Sequence, residues 1–193
     1  MEILEWGPCV IKARLPIDFV DELVSKAKNE VSANSMLAGH LKDQYFFDRA
    51  TLEWFANTDH FANAIDYYFE SVAKRTSTPK ENLTPNLTDF WINYMKPGDF
   101  NPPHQHSGAL SFIIFGDSPP GLLQECVDHE GTTIKPGDIV FQYGDQANKL
   151  AITLHHFYPN KGDFFIFPAN VQHFVSPFKS EGTRISISGN VVF

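Results

Sequence analysis

The sequence predicts a mainly β fold, a sandwich of jelly-roll type, with helices in the N-terminal part packed on one sheet. Three observations predict it. From about residue 88 onward, short apolar runs alternate with clusters of Gly, Pro, Asn and Asp at regular spacing, the pattern of a sandwich or barrel. Before that point, two segments carry apolar residues at the four-residue steps of a helix face. Aromatic residues are abundant, with 18 Phe, 6 Tyr and 3 Trp, and Phe and Tyr favour strands.

Taken in order, "GPCVIKARLP" (7–16) alternates around Val10 and Ile11 and stops at a proline, so it reads as a strand. "IDFVDELVSKAKNEV" (17–31) reads as a helix with Asp18 as its N-cap and Phe19, Leu23 and Ala27 on one face. "TDHFANAIDYYFESVAKR" (58–75) is a second helix, with Asp59 as cap and Phe61, Ile65, Tyr68 and Val72 as its stripe. The strands that follow are "DFWINYM", "ALSFIIF", "DIVFQY", "LAITLHHF", "DFFIFP", "HFVSPF" and "RISISGNVVF". With no repeat and no low-complexity linker, the expectation is one domain over 1–193, with helical support in 1–88 and the jelly-roll core in 89–193.

Charge and cysteine content narrow the function. A net charge of −8 repels phosphate backbones and argues against nucleic-acid binding. The short basic stretch "AKRTSTPK" (73–80) reads as a solvated helix end. Cys9 and Cys126 are too few for a disulfide framework and read as free thiols. "MEILEWGPCV" has no basic region followed by an apolar core, and no apolar run approaches the roughly 18 residues of a membrane helix. The expectation is a soluble, cytoplasmic protein.

The chemistry concentrates in "NPPHQHSGALSFIIF" (101–115). Residues i and i+2 of a strand share a face, so His104 and His106 can present two imidazoles to one side. A metal needs a third ligand, and His173 is the best of the remaining histidines. It follows a strand and a turn, and a jelly roll brings such a late strand beside an early one. Three ligands on one face would leave positions open, as in non-haem iron sites. On its own an HxH pair is weak evidence, since most such pairs are surface or hydrogen-bonded histidines. His155 and His156 face opposite sides as strand neighbours, and His40 and His60 fall in the helical part.

Arg184, Ser186 and Ser188 share one face of the last strand. An arginine turned into a barrel is costly without an anion, and its planar fork suits a carboxylate. An edge arginine paired with an acidic neighbour is the competing reading.

Together these segments resemble the Fe(II)/2-oxoglutarate-dependent oxygenases, in particular the prolyl-hydroxylase-like branch of uncharacterised bacterial and phage proteins. The resemblance rests on "WINYMKPGDFNPPHQH", "LSFIIF", "GDFFIFPANVQHFVSP" and "RISISGN" in that order and covers residues 89–193. It implies a double-stranded β-helix core of cupin-like type, Fe(II) and 2-oxoglutarate as cofactors, dioxygen as co-reactant, and hydroxylation of a prolyl or other peptide residue or a small molecule. Carried over by position, it makes His104 and His173 metal ligands, with His106 standing where most of the superfamily has Asp or Glu. It pairs Arg184, helped by Ser186, with the distal carboxylate of 2-oxoglutarate, and it assigns Tyr94, rather than Asn93 on the opposite face, to the cosubstrate. Two other readings remain: a three-His dioxygenase that works without 2-oxoglutarate, and a non-catalytic jelly-roll module holding a metal or ligand. Neither needs a buried carboxylate receptor, so Arg184-x-Ser186 discriminates against both.

Overall fold

A computed structural model describes residues 7–76, 84–132, 134–145 and 152–193. The helical first part contributes β1 (Ile11–Arg14), α1 (Ile17–Ser25), β2 (Val31–Ser32), β3 (Asp43–Phe46), α2 (Arg49–Ala56) and α3 (Asp59–Thr76). Then come β4 (Asn86–Met95), β5 (Asn101–His104), β6 (Leu110–Asp117), α4 (Leu122–Asp128), β7 (Ile139–Gln142), β8 (Leu154–Phe157), β9 (Asp163–Pro168), β10 (Gln172–Val175) and β11 (Arg184–Val192). The strands form a seven-stranded sheet, β1-β9-β6-β11-β4-β3-β2, facing a four-stranded sheet, β5-β10-β7-β8. This is the mainly β double-stranded β-helix that the sequence predicts, with antiparallel neighbours drawn from distant parts of the chain.

The pleat divides the large sheet into two apolar layers. Phe112 and Ile114 of β6, Phe164 and Ile166 of β9, and Ile187 and Val191 of β11 face the helices. The intervening residues Ile113, Phe115, Phe165 and Phe167 face the small sheet and pack on Ile139 and Phe141. Burial on both faces is why these strands read as continuous apolar runs rather than alternating ones. β11 departs from the pattern. Its inward residues are Arg184, Ser186, Ser188 and Asn190, all buried. Its outward Gly189 lets the Phe112 ring approach, since a Cβ there would lie 2.6 Å from that ring.

The helices differ from the sequence reading in detail. α1 is capped at Pro16 without a side-chain bond, and Asp18 sits in its first turn, where a carboxylate favours the helix dipole. It ends at Ser25 rather than Val31, and the chain turns through Asn29 at φ 55, a conformation Asn tolerates better than most residues. α3 begins as expected, but Thr58 rather than Asp59 caps it, its hydroxyl accepting from Phe61 N at 3.3 Å. Two helices lie outside the sequence reading. α2 is capped by Asp48, which accepts from Thr51 N at 2.8 Å. α4 lies within 116–137, a stretch that reads as loop.

Phe55 of α2 joins helix to sheet. It is fully buried, stacks on Phe90 at 4.8 Å and touches Phe112 at 5.6 Å. Phe55→Ala is expected to destabilise the protein by about 3–5 kcal/mol, read from the shift of the urea unfolding midpoint at unchanged slope.

Candidate functional site

β5 and β10 pair so that His104 and His173 stand directly opposite one another, and opposed residues of an antiparallel pair share a face. His106 reaches them differently. β5 ends at His104, so His106 lies beyond the strand, its backbone N–H donating to Ala169 O at 2.9 Å. The pleat argument therefore holds across the ladder for His104 and His173, whereas His106 is placed by a loop tied to the 168–171 turn. The three imidazoles meet all the same. Their donor atoms lie within 4.8 Å of one another, and Nε2 of His106 stands 3.2 Å from Nε2 of His173. Two metal–imidazole bonds of roughly 2.0–2.1 Å at right angles hold their nitrogens about 3 Å apart, so this spacing fits one ion.

Hydrogen bonds aim the ligand atoms. Nδ1 of His104 lies 2.7 Å from Pro102 O, and Nδ1 of His173 lies 2.9 Å from Val171 O. A carbonyl only accepts, so both Nδ1 atoms carry the proton and both Nε2 lone pairs are free for a metal. Burial depresses all three proton affinities: His173 down to about 3, His106 down to about 4, and His104 also downward, with the neighbouring His104 adding to the effect on the other two. The donors are neutral near pH 7 and release no proton to a metal.

β11 continues away from this cluster. Ser188 lines the histidine cavity together with Trp91 and Asn93, and Ser186 and Arg184 follow on the same inner face. Arg184 is 1% exposed. Its Nε donates to Gly137 O at 3.1 Å and its guanidinium lies 4.9 Å over the Phe115 ring. Its Nη2 is buried without a hydrogen-bond partner. Burial lowers its proton affinity to about 9, opposed by the charge of Asp138, so the group stays cationic at neutral pH. A buried charged donor without an acceptor costs more than the roughly 1–3 kcal/mol of a neutral one, and a carboxylate would relieve that cost. The carbonyl that Arg184 uses belongs to a glycine at φ +72, a left-handed turn position.

Tyr94 is a correction. It points to the helix side of β4, packing on that core and lying 6.3 Å from Tyr45. The register opposes Asn93 to Ser186, and it is Asn93 that faces inward, donating to Ser186 Oγ at 3.4 Å with its own Oδ1 unpaired.

The sequence reading also missed one wall. Leu37, Ala38, Gly39, Gln44 and Asn101 line the histidine cavity. A Cβ on Gly39 would lie 2.2 Å from Asn101 Oδ1 and 2.7 Å from Gln44 Oε1, so a larger residue there would have to displace those amides. No motif in 33–44 announces this; Gln44 enters through its register with Asn93. From the sequence, the loops 116–137 and 143–149 are expected to flank the mouth of the barrel; 116–137 instead covers the Arg184 end, through α4 and Gly137. The stretch 143–149 lies largely outside the described residues.

Residues 89–190 match the family described as "Putative 2OG-Fe(II) oxygenase". The chain belongs to this family. The oxygenase thus takes Fe(II) and 2-oxoglutarate as cofactors and uses dioxygen on a further substrate. Its fold recurs in a prolyl-4-hydroxylase from Pseudomonas putida, at 18% identity and TM-score 0.55 over 93% of this chain and 90% of that one. A prolyl hydroxylase from Trichoplax adhaerens, solved with a peptide fragment of hypoxia inducible factor, matches at 13% identity and TM-score 0.54 over 96% and 83%. The non-heme alpha ketoglutarate dependent epimerase of nogalamycin biosynthesis matches at 12% identity and TM-score 0.58 over 93% and 74%. No curated protein sequence matches the oxygenase significantly. Among its described residues, no helix is long and apolar enough to cross a membrane.

Proposed function

We propose that this oxygenase hydroxylates a C–H bond of a peptide or small-molecule substrate, holding Fe(II) on His104, His106 and His173 and the distal carboxylate of 2-oxoglutarate on Arg184. The observation that carries the reading is the inner face of β11: it runs from Ser188, beside three converging imidazoles, to Arg184, a buried guanidinium with an unpaired Nη2. The same reading takes 1–193 as one oxygenase domain, supported by the helices packed on the large sheet.

Bound together, the iron and 2-oxoglutarate supply the activation of dioxygen. The protein's part is placement and charge. Three neutral imidazoles leave the metal's positive charge uncompensated by side chains, and a dianionic cosubstrate matches that deficit. Arg184 and Ser186 fix the far end of the cosubstrate, and Asn93 takes the role that the family resemblance gives to Tyr94. Phe115, Phe165 and Phe167, buried between the sheets, keep water from that interior. A peptide substrate is favoured by the two prolyl hydroxylases that share the fold. A three-His enzyme that dispenses with 2-oxoglutarate would have no use for a buried arginine with an unpaired Nη2.

The test is product analysis with Fe(II), 2-oxoglutarate and a panel of proline-containing peptides. Succinate should form in an iron-dependent way and one peptide class should gain one oxygen atom. Succinate at the level of the iron-free control would refute the reading. In the same assay Asn93→Ala is expected to raise the KM for 2-oxoglutarate about tenfold, the worth of one hydrogen bond to a charged group. Tyr94→Phe should leave that KM unchanged.

A further inference from the structure

Behind Arg184 lies a buried carboxylate that does not pair with it. Asp138 is 2% exposed. Its Oδ2 accepts from Nδ1–H of His156 at 2.6 Å and from Lys135 N at 3.3 Å. Arg184 gives its Nε–H to the preceding carbonyl, Gly137 O, and no ion pair joins it to a carboxylate among the described residues. The charge of Asp138 still acts on Arg184. His156 is the outer member of the relay, its side chain 36% exposed on β8.

The other titratable groups around Asp138 are silent near neutral pH. The Cys126 thiol is pushed up to about 11 by burial and then by Asp138, with Lys135 and Glu125 as further neighbours. The Tyr158 phenol is raised by burial, then by Cys126 and Asp138. The charges that count are therefore Asp138, Arg184 and whatever His156 carries.

We propose that His156 is a positioning residue for the cosubstrate: through Asp138 it sets how much of the Arg184 charge is free to meet the distal carboxylate of 2-oxoglutarate. The inference rests on the assignment of Arg184 to that carboxylate. With His156 neutral, Asp138 and Arg184 sum to zero, and the charge of the buried anion offsets the guanidinium charge that the incoming carboxylate meets. With His156 protonated, the relay is net positive and Asp138 is held by its own partner. A proton on His156 therefore tightens 2-oxoglutarate binding. By reciprocity, 2-oxoglutarate raises the proton affinity of His156.

The experiment is a calorimetric titration of 2-oxoglutarate into the anaerobic, Fe(II)-saturated full chain between about pH 6 and 8, in buffers of different protonation enthalpy. Saturation with iron keeps the three site histidines deprotonated throughout. Wild type should lose about fivefold in affinity as pH rises and take up a fraction of a proton on binding. His156→Gln should bind with the weak, high-pH affinity at every pH and take up no proton. Asp138→Asn should bind with at least the tight, low-pH affinity at every pH. If Asp138→Asn does not fold, the partly exposed His156→Gln decides alone. A wild-type slope and wild-type proton uptake in His156→Gln would overturn the inference. Arg184→Met separates this from the reading beneath it: unchanged affinity in Arg184→Met defeats the cosubstrate assignment itself, whereas lost affinity there with an unaltered His156→Gln defeats only the relay.

Discussion

Arg184→Met is expected to weaken 2-oxoglutarate binding by about a hundredfold or more, the cost of removing one partner of a buried charge pair, while iron binding stays the same. Its effect on stability should run the other way. The guanidinium is fully buried, its Nη2 has no partner, and burial lowers its affinity for its proton. Holding that charge inside the barrel therefore opposes folding when no anion is bound. Methionine fills similar space without the charge, and replacing a poorly compensated buried ion by an apolar side chain is often neutral or stabilising. The cosubstrate-free variant should match or exceed wild type in urea, and added 2-oxoglutarate should stabilise wild type but not the variant. An arginine kept for structure would show the reverse: lost stability at unchanged affinity.

His106→Ala should lose more than about a hundredfold in iron affinity, since even removal of a partner outside the ligand set costs about 10–100-fold. Its Nε2 faces that of His173 at 3.2 Å, and without it two imidazoles remain. His106→Asp should keep iron and part of the activity, because it restores a carboxylate in the position where most of the superfamily has one, on a shorter side chain. Metal content after gel filtration of wild type and both variants measures this. Full loading of the alanine variant would make His106 a hydrogen-bonding neighbour instead.

How much of this is legible in the sequence depends on which signal each residue leaves. Strands bounded by Gly, Pro, Asn and Asp leave a strong one, and every predicted run from "DFWINYM" onward contributes to an observed strand. Short helices leave little. α2 spans Arg49–Ala56 and α4 spans Leu122–Asp128, too few residues for a helical stripe to stand out. At the site, His104, His106 and His173 are visible as residue types, and the fold brings them together. The i, i+2 strand rule does not place His106, because β5 stops at His104. Tyr94 and Asn93 could not be told apart for a physical reason. Residues 90–93 are buried on both faces of β4, so no apolar alternation marks which side is inward, and only the register with Ser186 decides it. The wall at 37–39 depends on the packing of one glycine against two amides, which has no counterpart in local sequence pattern.

The central claim is that one iron and one 2-oxoglutarate share the His104–His106–His173 site, with Arg184 holding the far carboxylate. Anaerobic addition of Fe(II) and then 2-oxoglutarate, followed by visible absorption, tests it most directly. The account predicts a metal-to-ligand charge-transfer band that requires both components, saturates at one equivalent of each, disappears in His173→Ala, and needs far more 2-oxoglutarate to develop in Arg184→Met. Absence of the band in wild type, or its persistence in His173→Ala, would contradict it.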